Sequence, residues 1–297
     1  MTRLRLRYRY RLAASNATVH GVIRHSPMRD ARRRNRNIGT AKSGHGQDNK
    51  HVVPERWMDL SVYWQKLDSP VAVEKEVQGS RFTFLIEPPL KGCFHFCTVE
   101  DICAVLDFLP LAHIQNIELV IFRQPTRRQQ ILVPVWGRLG FWSEISGYSG
   151  PGIYIEAQQL PRISSWPVSL TPDAEKELKR LECDGHEITR TKRNFEICSS
   201  AEAIRMTQLF RTIPHEVGHY VDYLESSARH EAEANSIEFW DFYDAKPNRE
   251  KEEFAHRYAD ETCSRLLGAN RIPFPPIIDV EAMQSANLNT EWFAHAV

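Results

Sequence analysis

The segment "RTIPHEVGHYVDYLE", Arg211–Glu225, contains two histidines four positions apart and a glutamate directly after the first of them. On an α-helix, residues four apart lie one turn apart on one face, so His215 and His219 can direct their imidazoles to one point. Imidazole nitrogens are common ligands of Zn2+. Glu216 lies beside that point, where a carboxylate can accept a proton from water. The segment therefore predicts a helix that carries a zinc site.

The alternative is an ordinary amphipathic helix whose histidines are solvated. Val217, Val221 and Leu224 would form its apolar face. Gly218 is about 1 kcal/mol less favourable than alanine inside a helix, which predicts that another segment packs against its backbone. Pro214 would kink the middle of a helix but is tolerated in the first turn, so it predicts that the helix begins close to this residue.

Two short segments carry a resemblance to a known protein family. "HEVGHYVDY" resembles the zincin metallopeptidases, and "EEFAHRYAD", Glu252–Asp260, resembles the glutamate-zincin branch. In that branch a second helix supplies a glutamate as third zinc ligand, often in an E-x-F-A setting. Glu252, Phe254 and Ala255 match that setting, and the resemblance covers about residues 200–268.

The resemblance implies a zinc-dependent metallopeptidase that hydrolyses peptide bonds of a protein or peptide. Its zinc ligands would be His215, His219 and Glu252, and Glu216 would be the general base. The resemblance also makes Tyr243 a candidate donor for the developing oxyanion, although a residue of the aromatic core is the favoured interpretation. The alternative from a different class is a regulatory or binding protein with a zincin-like site that is not catalytic.

Three other residues compete for the place of the third ligand. Asp222 lies seven residues, or about 10 Å along a helix, from the first histidine, which favours a supporting role. Glu253 points about 100° away from Glu252 around a helix. His256 lies one turn beyond Glu252 and is close enough to touch the site.

The composition divides the chain into three parts. Residues 1–56 form a basic tail, with 13 Lys and Arg against two acids in the first 50 positions. Few large apolar residues occur there, so the tail is expected to be disordered. Its charge makes nucleic acid a candidate partner, although a solvated tail, an upstream extension or a transit peptide fits as well. Residues 57–165 are expected to be an α+β region, and residues 166–297 a zincin-like metallopeptidase region.

Helix and strand signals predict an α+β fold. "TVEDICAVLDFLP" begins with a capping box formed by Thr98 and Asp101, and "TPDAEKELKRLECDG" has Thr171 and Pro172 at its start and Gly185 after its end. "REKEEFAHRYADETCSRLLG" predicts the last long helix. Residues 186–198 predict a strand or hairpin, and the resemblance to zincins implies that a strand there pairs with an extended substrate. The remaining predicted strands are "RFTFLIEP", "CFHFC", "IELVIFR", "ILVPVWG" and "GIYIEAQ".

Six cysteines and the absence of an apolar leader indicate reduced thiols and a cytoplasmic protein. Cys93, His95 and Cys97 would share one face of a strand. They lack the spacing of a zinc knuckle, so buried cysteines of the core are the favoured interpretation. No apolar run is long enough to span a membrane.

Overall fold

A five-stranded mixed sheet forms the centre of the fold in the computed structural model, which describes residues 65–132, 134–232 and 239–294. The strand order is β1-β2-β4-β6-β5. The inner pairs β2–β4 and β4–β6 are parallel, and the outer pairs β1–β2 and β5–β6 are antiparallel. The strands are β1 (Val71–Val77), β2 (Ser80–Ile86), β4 (Leu119–Arg123), β5 (Gly137–Ile145) and β6 (Tyr148–Glu156).

Two small sheets lie outside the central one. β8 (Arg162–Pro167), β9 (Glu187–Arg190) and β10 (Asn194–Ser199) form a three-stranded sheet in the order β8-β10-β9. β9 and β10 are antiparallel neighbours, which confirms the predicted hairpin. β3 (Cys93–Phe94) pairs with β7 (Gln158–Gln159), so the predicted strand "CFHFC" is regular over two residues only.

One predicted strand is wrong. Ile131 and Leu132 of "ILVPVWG" end a short helix, and the strand β5 begins only at Gly137. β5 is joined to β6 by a two-residue turn in which Ser146 and Gly147 both have positive φ, 50° and 89°. Positive φ at both central residues is the geometry of a tight hairpin.

The helices follow the predicted caps. Thr98 and Asp101 form the capping box of α1, and Thr171 accepts from the Ala174 N–H at the start of α4, with Pro172 as its first residue. The helices are α1 (Val99–Asp107), α2 (Leu111–Ile114), α3 (Arg127–Leu132), α4 (Pro172–Cys183), α5 (Ala201–Arg205), α6 (Ile213–Ala232), α7 (Phe239–Ala245), α8 (Asn248–Gly268) and α9 (Val280–Ser285). No helix in the described ranges is long and apolar enough to cross a membrane.

A π-helical segment, Met206–Thr212, connects α5 to α6. At its end, the Ile213 N–H donates to the Gln208 carbonyl, five residues back. The helical run is continuous from Ala201 to Ala232, so the prediction that the helix begins close to Pro214 is wrong. Pro214 is instead the second residue of α6, where its missing N–H coincides with the change from π-helical to α-helical hydrogen bonding. π-turns inside helices often occur at functional sites.

One hydrophobic core joins the sheet to the helices. It contains Phe84 and Phe122 of the sheet together with Leu209, Ile213 and Val217 of the helical part, all fully or almost fully buried. The described part of the chain is therefore α+β, as predicted, and its two predicted regions share this core. The division into regions at residue 165 stays a prediction. The basic tail, 1–56, lies outside the described residues.

Candidate metal centre

The two histidines of α6 face each other at one point. Their Nε2 atoms are 3.1 Å apart, and their rings are nearly perpendicular, with centroids 4.6 Å apart. The apolar positions Val217 and Val221 are buried in the core. α6 is thereby held with its histidine face toward an open cavity, which accounts for the partial exposure of both imidazoles.

Glu252 of α8 completes a group of three ligand atoms. Its Oε2 lies 3.5 Å from His215 Nε2, and its Oε1 lies 3.6 Å from His219 Nε2. Among the residues that the structure describes, this is the one group of three His, Cys, Asp or Glu side chains whose ligand atoms all lie within 4.8 Å of one another. The sequence-based choice of the three ligands therefore corresponds to a real spatial cluster.

The separations within this triad fit a tetrahedral ion. Ligand bonds of about 2.0–2.1 Å place neighbouring ligands roughly 3.3–3.4 Å apart at the corners of a tetrahedron. The two Nε2 atoms are 3.1 Å apart, and the distances of 3.5 and 3.6 Å from Glu252 involve its two different carboxylate oxygens, so all three are close to that length without defining a single set of ligand atoms. Two imidazoles and one carboxylate are also the donor set of catalytic zinc sites that leave one position open.

The close approach of α6 and α8 creates the triad. A Cβ on Gly218 would lie 3.0 Å from the Ala255 Cα and 3.1 Å from the Tyr258 Cβ. A larger residue at this position would hold α8 farther from α6. The glycine inside the helix thus has the structural reason that the sequence predicted, which is a neighbouring segment packed on its backbone.

Glu216 lies beside the triad and is not one of its members. Its side chain is buried, with 7% of the residue exposed, and it lines the same cavity as both histidines. Burial raises its pKa to about 7, while the charge of His215 and a backbone hydrogen bond from Leu139 act in the opposite direction. A carboxyl group with a pKa near neutrality is suited to accept and return a proton.

The electrostatics of the ligands suit a cation. Burial, followed by the charge of His215, lowers the pKa of His219 to about 4, so its imidazole is neutral near pH 7. A hydrogen bond from His215 lowers the pKa of the Glu252 carboxyl, which keeps it ionised. Metal binding requires both of these protonation states.

The competitors for the third position have other contacts. Asp222 accepts a hydrogen bond from the Tyr243 hydroxyl and pairs with Lys246, and none of its described hydrogen bonds goes to a histidine. Glu253 pairs with Arg249 on the exposed side of α8. The His256 ring packs on the His215 ring at 4.5 Å without joining the triad.

The cavity beside the triad has a volume of about 470 Å³. Its walls come from α6, α7, α8 and the strand β5, and β9 and β10 contribute none of the residues that line it. The prediction that a strand near residues 186–198 pairs with an extended substrate stays a prediction, since it concerns the substrate and not the cavity lining. The lining residues are Gly137, Arg138, Leu139, Phe141, His215, Glu216, His219, Tyr243, Asp244, Asn248, Lys251 and Glu252.

Sequence reasoning missed β5 and Lys251 as parts of the site. β5 had a usable signal, since the Ser146–Gly147 dipeptide between two runs rich in aromatic and branched residues is typical of a hairpin. No sequence signal pointed to Lys251, because a lysine beside a candidate ligand on a charged helix is usually solvated.

The cysteine cluster is not a metal site. Cys93 and Cys97 are buried free thiols, and the His95 Nε2 bonds to the Glu87 carbonyl at 2.8 Å. All six cysteines are free thiols in the structure, two of them buried, two half-buried and two exposed. No protein-family model, curated protein or solved structure matches this chain.

Proposed function

We propose that the protein is a zinc-dependent metallopeptidase of the zincin type. The observation that supports this proposal most strongly is the triad of His215, His219 and Glu252, whose nitrogen and carboxylate oxygen atoms lie 3.1–3.6 Å apart, close to the spacing of ligands around a tetrahedral zinc ion. The resemblance of the two helices to the glutamate-zincin branch supports the same assignment. The cytoplasmic location and the zinc itself belong to this proposal.

When bound, zinc lowers the pKa of a water molecule and polarises a carbonyl group. Glu216 would accept the proton of that water and later deliver it to the nitrogen of the departing amine. Its buried position beside Leu139 fixes the carboxylate on the cavity side of α6. His215, His219 and Glu252 would hold the metal and take no part in proton transfer.

A peptide is the proposed substrate because of the strand that borders the cavity. β5 is the last strand in the order of the central sheet, so one of its edges has no strand partner in the described sheet. Gly137, Arg138, Leu139 and Phe141 of β5 line the cavity. An extended peptide can pair with such an edge through its backbone.

The test is metal analysis combined with hydrolysis of a denatured protein substrate, with and without a chelator. The purified full chain should hold one zinc and lose turnover on chelation. Glu216→Gln should keep zinc and fold and abolish turnover, because an amide cannot accept the proton. Glu225→Gln is the matched control, since Glu225 is exposed on the same helix and should retain turnover.

Two results would reject the mechanism. Turnover retained in zinc-loaded Glu216→Gln would show that another group takes the proton. A wild-type chain that holds zinc and hydrolyses no peptide would instead support a regulatory or binding protein with a site that is not catalytic.

A further inference from the structure

The cavity beside the triad is lined by two cationic side chains, and only one of them forms an ion pair with the residues that the structure describes. The Arg138 Nη2 lies 2.7 Å from the Glu156 Oε1, in an ion pair with a buried carboxylate that also pairs with Arg123. Lys251 is the other cation. In the described part of the chain its ammonium group has no hydrogen bond and no ion pair, although Asp244 lines the same cavity.

An aromatic ring positions this ammonium group. The Lys251 Nζ lies 4.5 Å from the centroid of the Tyr243 ring, a distance at which a cation is attracted by the face of an aromatic ring. The ring itself is fixed, because Tyr243 is 2% exposed and packs edge-on against Phe141. Lys251 is therefore held at the cavity wall without being neutralised.

The hydroxyl of Tyr243 is engaged elsewhere. It donates to the Asp222 Oδ2 at 3.2 Å, on the side where Lys246 also pairs with Asp222. The Tyr243 hydroxyl and the Lys251 ammonium group therefore have different partners. The Tyr243 ring supports Lys251, and the donors that Lys251 carries remain available to the cavity.

We propose that Lys251 donates a hydrogen bond to the carbonyl oxygen of the scissile peptide bond as that oxygen becomes negatively charged. Lys251 directly precedes Glu252 on α8 and lines the same cavity as the triad. This inference rests on the proposed peptidase function. It assigns to Lys251 the role that the sequence suggested for Tyr243.

The chemical step balances without any further reactant. The water oxygen forms a bond to the carbonyl carbon, the π electron pair moves to the carbonyl oxygen, and the water proton goes to Glu216. The carbonyl then re-forms, the C–N bond breaks, and Glu216 returns the proton to the amine nitrogen. Lys251 keeps its proton throughout and stabilises the charge that appears only between these two events, which accelerates the step.

Three variants separate the two candidate donors. Lys251→Met removes the charge but keeps an unbranched side chain, and it should lower kcat by about 100- to 1,000-fold with little change in KM and zinc content. Lys251→Arg should recover part of that loss. Tyr243→Phe keeps the supporting ring and removes only the hydroxyl, so its kcat should fall far less than that of Lys251→Met. Lys91→Met, at an exposed lysine outside the cavity, is the control.

Affinity for an alanine-based phosphinic peptide provides a readout that does not depend on turnover. Its anionic oxygens imitate the tetrahedral charge, so calorimetry on zinc-loaded protein should show weaker binding to Lys251→Met by a factor similar to the loss in kcat. The affinity of Glu216→Gln for an uncharged substrate peptide should be the same with and without the Lys251 substitution.

Several outcomes would overturn the assignment. The first is equal affinity of wild type and Lys251→Met for the phosphinic peptide. The second is a loss of kcat in Tyr243→Phe but not in Lys251→Met. The third is that Lys251→Met changes only KM, and only for acidic peptides. If turnover depends on zinc and Glu216 but not on Lys251, this inference fails and the proposed function stands. If the wild type neither hydrolyses peptides nor binds the phosphinic peptide, both fail.

Discussion

The backbone of Ala255 on α8 occupies the space that a side chain on Gly218 of α6 would need. A Cβ on Gly218 would come within 3.0 Å of the Ala255 Cα and 3.1 Å of its carbonyl oxygen. Both atoms belong to a helix backbone and cannot move independently of α8. His219 is the next residue after Gly218 on α6, and Glu252 lies three residues before Ala255 on α8. The contact between Gly218 and Ala255 therefore sets the distance between two of the proposed ligands.

Gly218→Ala should therefore destabilise the protein and weaken zinc binding together. Overpacking costs about 1–3 kcal/mol, and the better helix propensity of alanine offsets about 1 kcal/mol of it. Urea unfolding and a zinc titration against a competing chelator would measure the two effects. Gly268→Ala is the control, because a Cβ there has no atom within 4 Å. Normal zinc affinity in Gly218→Ala would show that helix spacing does not control the triad.

His95 should make stability depend on pH below about 6.5. Its ring is buried between Phe122 and Phe293, and this burial lowers the pKa of His95 to about 4. The hydrogen bond to the Glu87 carbonyl raises the pKa, but by less than burial lowers it. Between pH 6.5 and 4 the unfolded chain binds a proton that the folded chain does not, so the free energy of unfolding falls as the pH falls. The contribution is about 1.4 kcal/mol per pH unit at most.

The comparison of wild type with His95→Phe isolates this contribution. Phenylalanine suits the aromatic surroundings and cannot titrate, so its unfolding free energy should fall less steeply between pH 6.5 and 4. Urea unfolding in the presence of a chelator, at several pH values, measures the difference in slope. Identical slopes for the two proteins would mean that His95 is protonated in the folded state.

Local signals in the sequence were sufficient for the helices and for most of the ligand set. The capping box of Thr98, the proline at position 172 and the histidine spacing of α6 each depend on residues within one or two turns, and the structure has them as predicted. The start of β5 was missed because "ILVPVWG" has the composition of a strand, whereas its first residues close a helix.

The cavity walls could not be predicted in the same way. Lys251, Tyr243 and β5 meet only because of how the helices cross and where β5 falls in the sheet order. Such contacts are between residues far apart in sequence, and no local pattern encodes them. Glu252 was identified through the resemblance, while its position opposite both histidines follows from the contact of α8 with Gly218.

Asp222→Asn should affect stability more than zinc binding. The Asp222 carboxylate is fully buried and holds both the Tyr243 hydroxyl and Lys246. An amide would leave Lys246 without its counter-charge, which should lower the free energy of unfolding by roughly 1–3 kcal/mol. Thermal unfolding and chelator competition would be compared with Asp260→Asn, an exposed aspartate on α8. Complete loss of zinc in a folded Asp222→Asn would instead make Asp222 a ligand.

Glu252→Ala and Glu253→Ala form a pair that tests the third ligand on one helix. The two carboxylates are neighbours in sequence and point about 100° apart, so only Glu252 faces the histidines while Glu253 pairs with Arg249 in solvent. Loss of a direct ligand should reduce zinc affinity beyond the roughly 10- to 100-fold that follows from loss of a residue supporting a ligand. Glu253→Ala should bind zinc like the wild type. Chelator competition at pH 7 measures both affinities, and thermal unfolding of the metal-free proteins shows whether each variant is folded. If folded Glu252→Ala keeps wild-type zinc affinity, the glutamate-ligated triad is rejected, because among the described residues Glu252 is the one carboxylate that forms such a group of ligand atoms with both histidines.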